Sequence, residues 1–343
     1  MRQQINSLLA LSAIISSTFL YSAEKLPIDI SNYLRLEYDD NIFTTGDGSG
    51  AEPQESLIII EQIEFLLDSQ MNNTYVGVRY SPVFKYYEDR PSDDTDLSHQ
   101  WDLILNQDFS PRTSFQLNHT LRVAEEAELV ENDISFRNDN DYLYNSVTGK
   151  FITQVVPDKT SVQASARYED FAYDDNDVAE VSDYDASTVG LDVIQILQPE
   201  MSLSGEFRFT DLDYTTDLRD AETIQLGLAL SKMFNPRLRG EVRAGIENHD
   251  PADAISEETE SPYIDGNLSF FPAKGTRITT GIAYKQEKSP VSIFTMQEMF
   301  VLSGTYSNDL TAGITMNLSG SYSMGDFSTD NATSVFDPEL NSA

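Results

Sequence analysis

Tight turns and long acidic connections alternate without exception along this chain. Between them run segments of about 10 to 14 residues in which apolar and polar side chains alternate, the period-two signature of strands. The turns are Asn72-Asn73, Ser110-Pro111-Arg112, Pro157-Asp158-Lys159, Pro199-Glu200, Asn235-Pro236-Arg237, Pro272-Ala273-Lys274 and Asn308-Asp309. They recur roughly every 35 to 47 residues, a period that demands an array of hairpins. Residues 88–96, 125–141, 169–185, 211–222 and 247–260 form the long acidic connections. A propeller of this period needs four short strands per repeat, whereas only two long ones fit here. A sandwich needs shorter strands, with turn signals every 8 to 12 residues or so. A transmembrane barrel needs strands of about 9 to 11 residues, short periplasmic turns and long outer loops. The expected fold is therefore an all-β, up-and-down antiparallel transmembrane barrel of about 14 to 16 strands.

The hairpin over residues 221–247 shows what such a barrel does with its two faces. Ile224, Leu226, Leu228 and Leu230 share one face before the Asn235-Pro236-Arg237 turn, and Leu238, Val242, Ala244 and Ile246 share one after it. The opposite face of the second strand reads Arg239, Glu241, Arg243, Glu247. A soluble sandwich would bury the apolar face, and a membrane barrel would turn it to lipid with the charges in the lumen. The alternation of turns and loops along the whole chain favours the barrel. Similar pairs of faces occur elsewhere, for example Phe115, Leu117, Leu121 and Val123 against Gln116, Asn118, Thr120 and Arg122. In residues 57–67, Glu61 and Glu64 fall in opposite phases, which predicts a bulge or register change. Tyr80, Phe84, Tyr86, Tyr87, Trp101, Phe109, Tyr142, Tyr144, Phe270, Phe271 and Tyr284 lie near strand ends, where two interfacial girdles would place them.

Composition narrows the chemistry. There is no cysteine, so thiol redox chemistry, disulfides and cysteine-zinc sites are excluded. A formal net charge of -35 repels nucleic acid. Residues 1–23 read as a signal peptide, with Arg2 before an apolar run from Leu8 to Leu20, leaving 24–343 as the barrel. About fifteen strands fit up to Phe327, and bacterial barrels of one chain usually close with an even number. The residues from Ser328 onward read as a further acidic loop, so the expectation is a barrel lacking its final strand.

The first strand ends Leu36-Glu37-Tyr38-Asp39-Asp40-Asn41-Ile42-Phe43. A tyrosine followed by Asp-Asp-Asn and two apolar residues at this place resembles the β-barrel porin type 2 family of Gram-negative outer membranes, some members of which accompany exopolysaccharide export. The resemblance implies an up-and-down barrel in the outer membrane and carries no catalytic residues to transfer.

Enzymatic machinery is sparse. Only His99, His119 and His249 could serve a hydrolase, and His119 draws notice as a polar residue on an apolar face. A strand irregularity explains it more simply, so the chain is read as no enzyme, with no catalytic and no metal residues. Asp93-Asp94-Thr95-Asp96 and Asp174-Asp175-Asn176-Asp177 offer hard oxygen ligands, a weak case for Ca2+ at the acidic loops, without the spacing of an EF-hand. The scarce basic residues are more telling. Arg35, Arg79, Arg122, Arg167, Arg208, Arg239, Arg243 and Arg277 all fall on the polar phase, often with Glu37, Glu169, Glu206 or Glu241 two residues away. These twelve are the candidate pore-lining residues, either as mutually satisfied ladders or as the walls of an aqueous channel. The expected function is a porin-like passive channel for small polar solutes, or an outer-membrane component of exopolysaccharide export. The alternative is a non-conducting structural or surface-interaction barrel that works through its acidic loops. Expected partners are outer-membrane lipid and lipopolysaccharide, with polysaccharide or small polar solutes.

Overall fold

The computed structural model describes residues 28–39, 42, 54–90, 94–124, 127–131, 134–138, 141–174, 183–215, 220–252, 258–288, 296–311 and 314–327. Its strands are β1 (Ile28–Asp39), β2 (Ser56–Met71), β3 (Thr74–Tyr87), β4 (Thr95–Ser110), β5 (Thr113–Ala124), β6 (Ala127–Glu131), β7 (Ile134–Asn138), β8 (Tyr142–Val156) and β9 (Thr160–Tyr173). There follow β10 (Tyr184–Gln198), β11 (Met201–Tyr214), β12 (Ala221–Asn235), β13 (Leu238–Pro251), β14 (Thr259–Phe270), β15 (Thr276–Lys288), β16 (Met296–Thr311) and β17 (Ile314–Phe327). Fifteen of these form one sheet in which each strand pairs with its sequence neighbours; β6 and β7 form a separate two-stranded sheet within the connection read as loop. The pairing is antiparallel throughout, and the sheet is not closed: β1 and β17 are its two edges. Residues 1–23 and 328–343, on which the leader and tail readings rest, lie outside the described residues.

The strands of the large sheet are 12 to 16 residues long. That exceeds the 9 to 11 or so that cross a bilayer, so each strand also has a segment beyond the hydrocarbon. At the short-turn end, one backbone bond repeats from hairpin to hairpin. Asp108, Gln154, Ile196, Met233, Phe271 and Asp309 donate their N–H groups to the carbonyls of Asn73, Arg112, Lys159, Glu200, Arg237 and Gly275. In five hairpins a register shift sits just before the turn, between Asp108 and Ser110, Gln154 and Val156, Ile196 and Gln198, Met233 and Asn235, and Asp309 and Thr311. The last of these moves the final turn: β16 runs through Asn308-Asp309 to Thr311, beyond the position expected from sequence.

The faces are those of a membrane sheet. Ile224, Leu226, Leu228 and Leu230 are 37–59% exposed, and Val189, Leu191, Val193, Phe207, Val242 and Ile246 continue the exposed apolar surface on neighbouring strands. Residues 57–67 contain no bulge. The register of β2 on β3 is the same on both sides of a gap opposite Ser81-Pro82, where proline has no N–H to give the ladder. Glu61 is simply on the outer face, accepting a bond from the Asn32 amide at 3.0 Å, while Glu64 is on the other, 3.6 Å from Arg79.

Three of the eleven expected girdle residues, Tyr87, Tyr142 and Tyr144, turn the other way. Tyr80 stacks between Phe65 and Trp101 on the apolar face, at 6.0 and 5.0 Å between ring centroids. Tyr87 and Tyr142, by contrast, are 2% and 3% exposed on the polar face near the long connections. There Tyr142, Phe171 and Tyr184 stack in succession at 5.0 and 5.7 Å, and Tyr214 lies 5.5 Å beyond. A second cluster joins Ile58, Ile60 and Tyr87 to Ile42, whose N–H bonds the Gln54 carbonyl. The tyrosine-Asp-Asp-Asn stretch thus leaves β1 at Asp39 and tucks its isoleucine back under the sheet end.

Candidate functional site

Alternation fixes where the twelve candidates go. Every one of Arg35, Glu37, Arg79, Arg122, Arg167, Glu169, Glu206, Arg208, Arg239, Glu241, Arg243 and Arg277 lies on the face opposite the exposed apolar rows. Nine of them are gathered into separate ion pairs and not into one constellation.

Arg79 and Asp102 stand directly opposite on β3 and β4. Nε and Nη2 of the arginine reach Oδ2 of the aspartate at 2.9 and 2.8 Å. Gln100 and the Thr120 hydroxyl donate to the same carboxylate, so its lone pairs are filled. Arg208 and Asp192 form a two-pronged pair across β11 and β10, Nη1 to Oδ1 at 2.5 Å and Nη2 to Oδ2 at 3.0 Å. Gln163 adds a third donor from β9 at 2.8 Å. Arg167 pairs with Glu169 two residues along, and the Tyr144 hydroxyl donates to the same carboxylate at 2.8 Å. Arg243 lies 3.2 Å from Glu241 and 3.8 Å from Glu206, and Arg35 lies 3.6 Å from Glu37. The parallel fork of Arg208 on Asp192 fixes geometry as well as charge. The side chains of Arg79, Arg167 and Arg243 are 44–47% exposed and that of Arg208 is 28% exposed.

The spacing rule of an acid two residues away is right for Arg35, Arg167 and Arg243 and wrong for Arg208. Its partner is Asp192 on the next strand, because Gly190 faces Arg208 and the diagonal neighbour is then Asp192. Asp102, Asp192, Glu64, Gln163 and Tyr144 are the contributors that sequence reasoning missed. Their signal is the cross-strand register: aligning the two strands of each tight turn brings out Glu64, Asp192 and Tyr144, whereas Asp102 and Gln163 act across strand pairs joined by long connections. Arg122 lies over the Tyr142 ring at 5.9 Å, and Arg277 donates to Thr279 at 3.1 Å.

The remaining polar groups have partners of their own. His119 and Asn145 bond on the apolar face at 2.9 Å, which accounts for the histidine without chemistry. Among the described residues no group of three or more His, Cys, Asp or Glu side chains is arranged to hold a metal ion. Asp96 already pairs with buried Arg90 at 2.8 Å, while Asp93 and residues 175–177 lie outside the described residues.

Comparison with known proteins agrees with this geometry. A family model described as Putative beta-barrel porin 2 matches residues 31–335. Among solved structures, the ferric enterobactin receptor PfeA in complex with BCV-L6 matches at 9% identity over 88% of this chain and 58% of that one, with a TM-score of 0.53. The FrpB iron transporter of Neisseria meningitidis matches at 8% identity over 89% of this chain and 60% of that one, with a TM-score of 0.51. The chain spans a little over half the length of these receptors, and the likeness is one of fold. The KdgM porin in complex with disordered oligogalacturonate matches at 12% identity over 71% of this chain and 100% of that one, with a TM-score of 0.30. Among curated proteins no sequence matches.

Proposed function

Since the chain belongs to the family described as Putative beta-barrel porin 2, matched over residues 31–335, we propose that it is a porin-like passive channel for small polar solutes. It is an outer-membrane β-barrel protein of a Gram-negative bacterium. The observation that carries the channel reading is the state of the polar face. Along the wall Arg79, Arg167 and Arg243 each hold a carboxylate and leave 44–47% of their side-chain surface exposed, and Arg208 leaves 28%. Fixed, paired charges of both signs on a wet wall let polar solutes exchange hydration for wall contacts without being held. A transport role of this kind asks for no catalytic group, and the protein is read as no enzyme.

Planar-bilayer recording tests the proposal. Stable open steps from heat-modifiable, folded protein support it. Folded protein that stays electrically silent overturns it in favour of a structural or surface-interaction barrel. Export of exopolysaccharide would show instead as cells that lose surface polysaccharide when the gene is deleted.

A further inference from the structure

Six of the seven strands that start from a long connection are immediately preceded by a carboxylate: Glu55 before β2, Asp94 before β4, Asp141 before β8, Asp183 before β10, Asp220 before β12 and Glu258 before β14. Only β16 departs from the pattern, with Thr295 in that place. The position has a structural task. The carbonyls of Asp141, Asp183 and Asp220 accept the N–H groups of Asp174, Thr215 and Ala252 on the neighbouring strands. Oδ1 of Asp183 and of Asp220 accepts those of Tyr173 and Tyr214. An asparagine would make every one of these bonds, so the task explains a short acceptor at the position and not its negative charge. All six side chains are exposed or half-buried at one rim of the sheet.

The two ends of the sheet differ in charge. The connections 40–55, 88–94, 125–141, 174–183, 215–220, 252–258 and 289–295 together hold 25 acidic and 3 basic residues. The seven tight turns hold 2 acidic and 4 basic residues. Between the ends, Arg79, Arg167, Arg208 and Arg243 of the wall are held against Asp102, Glu169, Asp192 and the pair Glu206 and Glu241. The excess of negative charge is therefore at the long-connection end, and rings of carboxylates favour cations.

We infer that the channel is cation-selective, and that its selectivity is set by this carboxylate rim and not by the charged wall. The inference rests on the channel reading. A rim acting through solvent is screened over about 10 Å at 0.1 M salt and about 3 Å at 1 M, so its preference must fade with salt. A tightly coordinating filter would keep its preference.

Reversal potentials across planar bilayers under a KCl gradient provide the test. At 0.1 M mean salt the protein is expected to pass K+ over Cl− by at least about threefold, falling towards unity at 1 M. The variant E55Q/D94N/D141N/D183N/D220N/E258Q, which keeps the Oδ1 acceptors of Asp183 and Asp220, is expected to lose at least half of the low-salt preference. A conducting protein that prefers Cl−, shows no preference at 0.1 M, or keeps its preference at 1 M overturns this inference and leaves the channel standing. So does an unchanged ratio in the folded variant. Should the variant fail to fold, the salt series on the unaltered protein decides alone. Folded protein without current overturns the channel and the inference together.

Discussion

Removing the Arg208 guanidinium tests how the wall is held. Asp192 is buried on the polar face, with its side chain 7% exposed, while that of Arg208 is 28% exposed. In Arg208→Gln the carboxylate keeps the Gln163 donor and loses both prongs of the fork. Breaking a fully buried pair costs about 3–5 kcal/mol, and surface pairs contribute about 0.2–1 kcal/mol. The half-wet geometry here lies between, so the single change is expected to cost about 2 kcal/mol. Asp192→Asn alone leaves a wetter arginine and should cost less. The double variant should recover part of the loss, with a coupling of about 1 kcal/mol. Urea titration of the protein refolded in lipid vesicles, followed by the fluorescence of its single tryptophan, Trp101, supplies the four free energies. Additive effects, or an Arg208→Gln variant within about 0.5 kcal/mol of the unaltered protein, would refute the fork as a structural contact.

Gly245→Ala would drive a methyl group into the Leu226 carbonyl oxygen and the Tyr263 ring, whereas Gly304→Ala meets nothing within 4 Å. The first should cost about 2 kcal/mol and the second less than about 0.5 kcal/mol in the same titration. Burial lifts the Asp183 carboxyl above its ordinary value, although the bond from the Tyr173 N–H pulls it down. A raised folded pKa means that stability falls as pH rises through it, so Asp183→Asn should be the more stable protein at pH 7 and lose its advantage below about pH 3.9. On the outer face Asp185 stands opposite Asp170 and Asp213, and Glu222 opposite Asp211 and Asp250. Like charges so placed repel, and millimolar Mg2+ or Ca2+ should raise the melting temperature; no change on adding EDTA would count against cation bridging there.

How much of this was legible in the sequence depends on range. Period two and the tight turns expose the strands, the two faces and the phase of all twelve charged candidates, because each is a property of a few consecutive residues. Glu61 shows the first limit: one charged residue on the apolar face suggested a broken register, yet the strand is regular and Asn32 on the next strand satisfies it. Asp192 shows the second, since a partner across a strand pair is invisible to a rule that looks two residues along the chain. The tyrosines at the long-connection end show the third. Aromatic residues near a strand end suit a lipid interface and an inner cluster equally, and only parity within the strand sends Tyr142 inward and Trp101 out.

With no native cysteine, single cysteines can be placed one at a time along β12 and β13 and probed with a maleimide that cannot enter lipid. Labelling is expected at positions 225, 239, 241 and 243 and protection at 226, 228, 242 and 246 in vesicles, a strict alternation along both strands. Labelling of the leucine positions with protection of the arginine positions would contradict it.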